Sequence, residues 1–244
     1  MAEVEQIKPY NPSGEKRAQV EQMFDSIAPT YDRLNHTLSL GIDRRWRRAA
    51  VDKLGEKHPR EILDIATGTG DFAILCANRI QPQHITGADI SEGMMAVARE
   101  KVKQKGLEEV ISFDYQDCTA LTYPNDSFDA VTASYGVRNF ENLEAGLREM
   151  HRVIRPGGHL LIVELSVPKY FPMRQLFWIY SHVVMPIVGR LISGDDSAYT
   201  YLPRSMEAFP QAEEMEQMLK RCGFAQVEWK RFTFGLSTKY LATK

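Results

Sequence analysis

The segment Ile62-Leu-Asp-Ile-Ala-Thr-Gly-Thr-Gly-Asp-Phe-Ala73 limits the folds open to this chain more than any other. A short apolar run of strand length stops in a glycine loop, and an apolar pattern of helical spacing resumes at once. Nineteen residues after Gly70, a second apolar run that starts at His84 ends on an acid, Asp89. Strand, tight turn, helix and a next strand closed by a carboxylate make a cradle for a nucleoside. Gly68 and Gly70 let the backbone approach the ligand, and Asp89 accepts the ribose hydroxyls.

After Pro59 strands and helices alternate. Strands are expected at Glu61–Ile65, Ile85–Asp89, Ile111–Tyr115, Phe128–Ala133 and His159–Glu164, and helices at Phe72–Asn78, Gly93–Lys105 and Leu143–Val153. Such alternation means an α/β fold of parallel strands with right-handed crossovers and helices on both faces. Arg155-Pro-Gly-Gly158 reads as a turn that feeds the fifth strand.

Upstream, residues 1–19 are polar and read as loose chain. From Val20 to Leu40 apolar residues recur at three- and four-residue steps, an amphipathic helix broken near Ala28-Pro29. A second helix starts at Asp43 and carries Arg44, Arg45, Arg47 and Arg48, which read as a solvated face or as contacts to anionic lipid headgroups. Residues 170–193 form an insertion rich in large apolar side chains, read either as core or as a channel for a greasy substrate. Ala225–Arg231 and Leu236–Thr243 form two strands joined by a turn at Phe234-Gly235, a terminal antiparallel hairpin.

A length of 244 residues with 43% hydrophobic content suits one domain with a sizeable core. We divide residues 1–244 into a helical cap (20–58), a cofactor-binding core (60–165), the apolar insertion (170–205) and a C-terminal helix and hairpin (206–244). A net charge of −2 gives no field for nucleic acid. The three cysteines (Cys76, Cys118 and Cys222) are unpaired by spacing and the six histidines are scattered, so neither a disulfide framework nor a metal site is expected. The acidic N-terminus does not read as a signal peptide, and no apolar run reaches the roughly 18 residues of a membrane span. The expectation is a cytoplasmic protein, with a peripheral place on the inner face of the cytoplasmic membrane left open.

The loop by itself fits S-adenosylmethionine and NAD equally well, since Gly68-Thr-Gly-Asp-Phe-Ala73 also satisfies the dinucleotide pattern. Its surroundings separate the two. Asp64, on the first strand, is placed to organise a methionine amino end. Asp117, after the third, is placed to accept from an adenine amine. Ser134-Tyr-Gly-Val-Arg-Asn139 follows the fourth strand at the carboxyl edge, where open α/β sheets bind ligands. An acid at each of three successive strand ends serves one nucleoside and a zwitterion better than a pyrophosphate, so S-adenosylmethionine is the expected cofactor.

Phe24-Asp-Ser-Ile-Ala-Pro-Thr-Tyr-Asp-Arg-Leu-Asn35, followed by Asp43-Arg-Arg-Trp-Arg47, closely resembles the opening signature of the ubiquinone/menaquinone biosynthesis C-methyltransferases. Leu63–Gly70 is similar to their cofactor loop, and Tyr135–Phe140 and Arg152–Gly158 to their later signatures. The resemblance runs from about Gln22 to the C-terminus. It implies a Rossmann-like class I S-adenosylmethionine-dependent methyltransferase fold with a mostly parallel seven-stranded sheet. It also implies methylation of a ring carbon in a polyprenylated demethylquinol, with demethylmenaquinol preferred over a ubiquinone-pathway benzoquinol or another small apolar acceptor. The family's cofactor contacts would fall on Thr67, Asp89, Asp117, Cys118 and Ser134, beside Asp64, Gly68 and Gly70 from the loop itself. The family often has a small residue where this chain has Cys118, a change that a backbone contact survives. A non-catalytic S-adenosylmethionine-binding accessory protein is the rival of another class. An intact loop, the ribose acid and Arg138-Asn139 together argue against it.

A quinol carbon becomes nucleophilic when its neighbouring hydroxyl loses a proton, so the site needs in-line positioning, a proton acceptor and exclusion of water. The candidates are Tyr31, Asp32, His36, Arg138 and Asn139. Arg138 stays protonated and is cast as the group that holds the quinol oxygen and stabilises the phenolate. Asp32 or His36 takes the proton directly or through water. Glu164 is expected to pair with a neighbouring base. Expected partners are the polyprenylated quinol and no nucleic acid, with room left for transient membrane-surface contact and for a homodimer.

Overall fold

The computed structural model describes residues 2–188 and 196–244; the side chains of His36 and of residues 196–199 lie outside that description. Strands β1 (Glu61–Ile65), β2 (His84–Asp89), β3 (Ile111–Tyr115), β4 (Phe128–Ser134), β5 (Ile154–Leu165), β6 (Gln226–Phe232) and β7 (Ser237–Thr243) form one sheet in the order β3-β2-β1-β4-β5-β7-β6. The first five are parallel, and β7 runs antiparallel to both β5 and β6. The chain reverses its direction of travel across the sheet between β1 and β4. The carboxyl ends of these two strands therefore flank the crevice where ligands bind in open sheets.

Helices cover both faces because the central strands are apolar on both. Helix α4 (Asp43–Gly55) and helix α5 (Asp71–Ile80) bury Trp46, Ala50, Leu54 and Ile74 against Ile62, Ile85 and Leu161. On the other face α7 (Leu143–Val153) and α10 (Glu213–Arg221) bury Leu147, Met150, Met215 and Leu219 against Leu63, Ile65 and Ile162. The chain breaks where proline predicts: α2 (Lys16–Ile27) passes through a tight turn at Ala28–Thr30 into α3 (Tyr31–Leu38). Met23, Ile27 and Leu34 then pack on Met94 of α6 (Glu92–Gln104) and Tyr201 of α9 (Asp196–Ala208).

Two expectations are corrected. Residues 1–19 are not all loose: a short helix, α1 (Glu3–Gln6), buries Val4 in the main core, and Lys16 is fully buried. Their polar groups find partners far along the chain, which hydropathy does not register. Glu5 accepts from the Leu143 backbone N–H at 2.9 Å, and Lys16 Nζ donates to the carbonyls of Val4 at 2.7 Å and Arg138 at 3.1 Å. Nor does Arg155-Pro-Gly-Gly158 precede the fifth strand. It lies within β5 as a break in register between the pairs Phe128–Ile154 and Ala130–His159. The C-terminal residue holds it there, Gly157 N–H donating to Lys244 O and Lys244 N–H to Gly158 O, both at 3.0 Å.

The insertion folds as α8 (Met173–Ile179) and a π-helical turn at Tyr180–Val184, with helix continuing to residue 188; residues 189–193 of the expected segment lie outside the described residues. Phe177 and Met185 turn inward, whereas Tyr170, Phe171, Leu176, Trp178, Ile179, Val183 and Ile187 stay exposed.

Candidate active site

The glycine loop is shaped by backbone that only small or tolerant residues adopt. Ala66, Gly68 and Gly70 have φ of 51°, 55° and 77°, and Gly70 caps α5. Two carboxylates hold this loop. Asp64 accepts from Thr67 Oγ1 at 2.7 Å and from Thr132 Oγ1 at 2.6 Å; burial pushes its carboxyl up to about 6 although both hydroxyls pull it down. Asp89 accepts from the Gly68 N–H at 2.7 Å on one oxygen and from the Ser91 N–H at 2.9 Å on the other. A carboxylate offers about four lone-pair sites, so each Asp89 oxygen keeps one for a ribose hydroxyl.

A narrow cleft follows, bounded by Gly68, Asp89, Asp117, Cys118 and Ser134 and closed by Arg17 and Phe24 of α2. One Asp117 oxygen accepts from Thr119 N–H at 2.8 Å and Oγ1 at 2.7 Å, and the other pairs with Arg17 Nε at 3.1 Å. Burial pushes the Cys118 thiol up, so Cys118 is a neutral wall. Ser134 Oγ is buried without a hydrogen-bond partner on the boundary between this cleft and a smaller cavity at the glycine loop. An orphaned hydroxyl there, and open space where a Gly68 side chain would stand, fit a nucleoside with a polar amino-acid end.

Beside the cleft lies a cavity of about 710 Å³, within the range of about 300–1,000 Å³ usual for small-molecule sites. Met23, Ile27, Trp46, Phe177, Met185 and Met206 give it apolar walls, while Tyr31, Arg47, Arg138 and Asn139 form its polar end. Tyr31, Tyr135 and Asn139 line both this cavity and the nucleoside cleft, so the two meet there. Arg138 Nη1 donates to Glu164 Oε1 at 2.7 Å and to the Tyr135 carbonyl, and its buried Nε has no partner. Burial opposes the Arg138 charge, and the Glu164 carboxylate is the main group that upholds it. Asn139 Oδ1 accepts from the Tyr201 hydroxyl at 3.1 Å. Burial raises the Tyr31 phenol against the pull of Arg138 and Arg47, so Tyr31 stays protonated at neutral pH.

Asp32 lines the glycine-loop cavity, not the large one. It accepts from Thr69 Oγ1 at 2.6 Å and Lys101 Nζ at 2.7 Å, which pins α3 to the loop. His36 lies on α3, with its side chain outside the described residues. Of the four arginines on α4, Arg44, Arg45 and Arg48 are exposed, but Arg47 is buried with its guanidinium 4.9 Å from the Tyr135 ring centre. A single solvated face is therefore wrong for Arg47. Its spacing carries the signal: Asp43, Arg47, Ala50, Val51 and Leu54 share one buried helical stripe. Tyr201, from a distant helix, left no such trace.

The profile of the ubiE/COQ5 methyltransferase family matches residues 12–244. A demethylmenaquinone methyltransferase of Bacteroides fragilis is 58% identical over 240 residues, 98% of each chain. Another, of Porphyromonas gingivalis, is 42% identical over 245 residues and the full length of both. Among solved structures, the [4+2]-cyclase SpnF superposes with a TM-score of 0.65 at 18% identity, covering 93% of this chain and 96% of that one. A methyltransferase-like protein of Bacillus halodurans C-125 gives 0.57 at 18% identity, over 80% and 98%. At such identity these two report the fold alone, a Rossmann-like α/β sheet.

Proposed function

The chain belongs to the ubiE/COQ5 methyltransferase family, and we propose that it transfers a methyl group from S-adenosylmethionine to a ring carbon of a polyprenylated demethylquinol, completing menaquinol. The observation that carries this reading is the meeting of a nucleoside cleft with a large apolar cavity at Tyr31, Tyr135 and Asn139, with Arg138 at the cavity's polar end. The relatives at 58% and 42% identity bear the name demethylmenaquinone methyltransferase.

Bound S-adenosylmethionine supplies an electrophilic methyl on a sulfonium centre. Asp89 accepts the ribose hydroxyls, Asp117 the adenine amine, and Ser134 Oγ and the 66–70 backbone hold the rest, with Asp64 and Thr67 fixing the loop. In the cavity, the guanidinium of Arg138 holds the quinol oxygen and favours its phenolate, while Glu164 keeps the guanidinium in place. Asn139 and the Tyr31 hydroxyl orient the ring. Asp32 or His36 takes the hydroxyl proton, Asp32 through water because it faces the loop; once methylated, the ring carbon gives up its own hydrogen as a proton that returns to the ring oxygen, which restores the aromatic quinol. The apolar walls exclude bulk water and strengthen each of these contacts.

In this reading residues 20–58 and the described residues of 170–205 build the acceptor chamber and 60–165 the cofactor site. No helix among the described residues is long and apolar enough to cross a membrane. The row of exposed apolar side chains on 170–187 instead rests on the inner face of the cytoplasmic membrane, where prenylated quinols reside, and the same segment lines the cavity from within. A second copy of the chain is the other occupant this face admits, and light scattering separates the two.

Purified protein is incubated with methyl-labelled S-adenosylmethionine and chemically reduced demethylmenaquinone, in parallel with a benzoquinol acceptor. Label on the naphthoquinol is expected. Label on neither ring, with cofactor binding intact, overturns the reading in favour of another acceptor or an accessory role.

A further inference from the structure

Among the described residues, the small cavity at the glycine loop is lined by more acids than bases. Three carboxylates line it (Asp32, Asp64 and Asp71), and among its described lining residues Arg47 is the one cation. Lys101 stands behind Asp32 and Asp71, pairing with both. Asp64 is held by two hydroxyls. Arg47 is buried yet poorly satisfied. Its closest carboxylate oxygens are 3.6 Å away on Asp71 and 3.9 Å away on Asp43, both beyond hydrogen-bond reach, and its Nε has no partner. A buried guanidinium with donors to spare is expensive unless something completes it.

The amino-acid end of S-adenosylmethionine is a zwitterion. Its ammonium is well served by an acid-lined cavity, whereas its carboxylate would be repelled by the same three acids. A cation with planar, paired donors resolves this, and a guanidinium matches a carboxylate in that geometry. We propose that Arg47 binds the α-carboxylate of S-adenosylmethionine, an inference that rests on the cofactor reading above. Arg138 is thereby left to the quinol oxygen, and the two buried arginines divide between the two substrates. Because Arg47 also lines the large cavity, it places the cofactor's reacting end against the acceptor.

The test is titration calorimetry without acceptor, comparing S-adenosylmethionine with its decarboxylated analogue, which has no carboxylate. Wild type should bind the parent more tightly. Arg47→Met should weaken the parent by roughly 10- to 150-fold, the range for a charge-assisted hydrogen bond, and leave the analogue unchanged. Arg47→Lys keeps the charge without the fork and should fall between. Should Arg47→Met fail to unfold cooperatively, Arg47→Lys decides by the same comparison. Equal losses for both ligands, or none for either, overturn the assignment; no loss of affinity with collapsed quinol turnover moves Arg47 to the acceptor. Failure of wild type to bind the parent at all would instead remove the cofactor reading itself.

Discussion

Glu164 on β5 holds Arg138 twice, its Oε1 accepting from Nη1 at 2.7 Å and its Oε2 from the Arg138 backbone N–H at 3.4 Å, with the two side chains 1% and 7% exposed. A pair buried this deeply contributes little net stability, but removing one partner strands a charge and costs about 3–5 kcal/mol. Its value is positional: Glu164 fixes the Arg138 guanidinium at the polar end of the acceptor cavity and leaves its buried Nε without a partner.

Arg138→Ala should therefore leave the cofactor dissociation constant unchanged while turnover of the quinol collapses. Glu164→Ala should lower unfolding free energy by about 3–5 kcal/mol and lose turnover with it. Calorimetry, denaturant titration and label incorporation measure the three quantities. Normal turnover by Arg138→Ala would remove its catalytic assignment.

Asp89→Ala should abolish cofactor binding and also loosen the loop. It strands the Gly68 and Ser91 N–H groups, and each stranded donor costs about 1–3 kcal/mol. A lowered melting temperature without ligand, together with no heat of binding, is the expected pair of results.

The sheet was legible because its cues are local. Apolar runs bounded by Gly and Pro fixed β1 to β4 to within a residue, and Ala28-Pro29 marked the break between α2 and α3. Features that depend on distant partners were not legible. Lys16 reads as a surface lysine until the carbonyls of Val4 and Arg138 meet it, and the 155–158 segment reads as a turn until Lys244 pairs with it. At the site, Asp89, Ser134 and Arg138 follow from strand-end placement. Arg47 lay hidden among three exposed neighbours, although the periodicity of α4 singles it out.

Lys16 gives stability a pH dependence of predictable sign. Burial lowers its pKa from 10.5 to about 8 despite the opposing carboxylate of Glu5. Between about pH 8 and 10.5 the folded protein has lost this proton and the unfolded chain retains it, so the unfolded state binds more protons and stability rises with pH. The full effect is about 3 kcal/mol. Urea titrations of wild type and Lys16→Met across this window should diverge upward for wild type, the variant subtracting the tyrosines that titrate nearby. Parallel curves would contradict the burial of a titrating ammonium.

Phe171 and Trp178 are exposed on the insertion and absent from the cavity lining. The double substitution Phe171→Ser with Trp178→Ser should weaken sedimentation with anionic vesicles and leave turnover of a short-tailed, water-dispersed quinol near wild type. Unchanged vesicle binding would move the membrane contact elsewhere.

The most direct test of the whole account is where the methyl group ends up. Wild-type protein is given isotopically labelled S-adenosylmethionine and reduced demethylmenaquinone, and the product is read by NMR. A labelled methyl on the ring carbon beside the quinol oxygen is predicted. A labelled methoxy group would contradict the account, because Arg138 would then be guiding attack by the oxygen it is meant to hold.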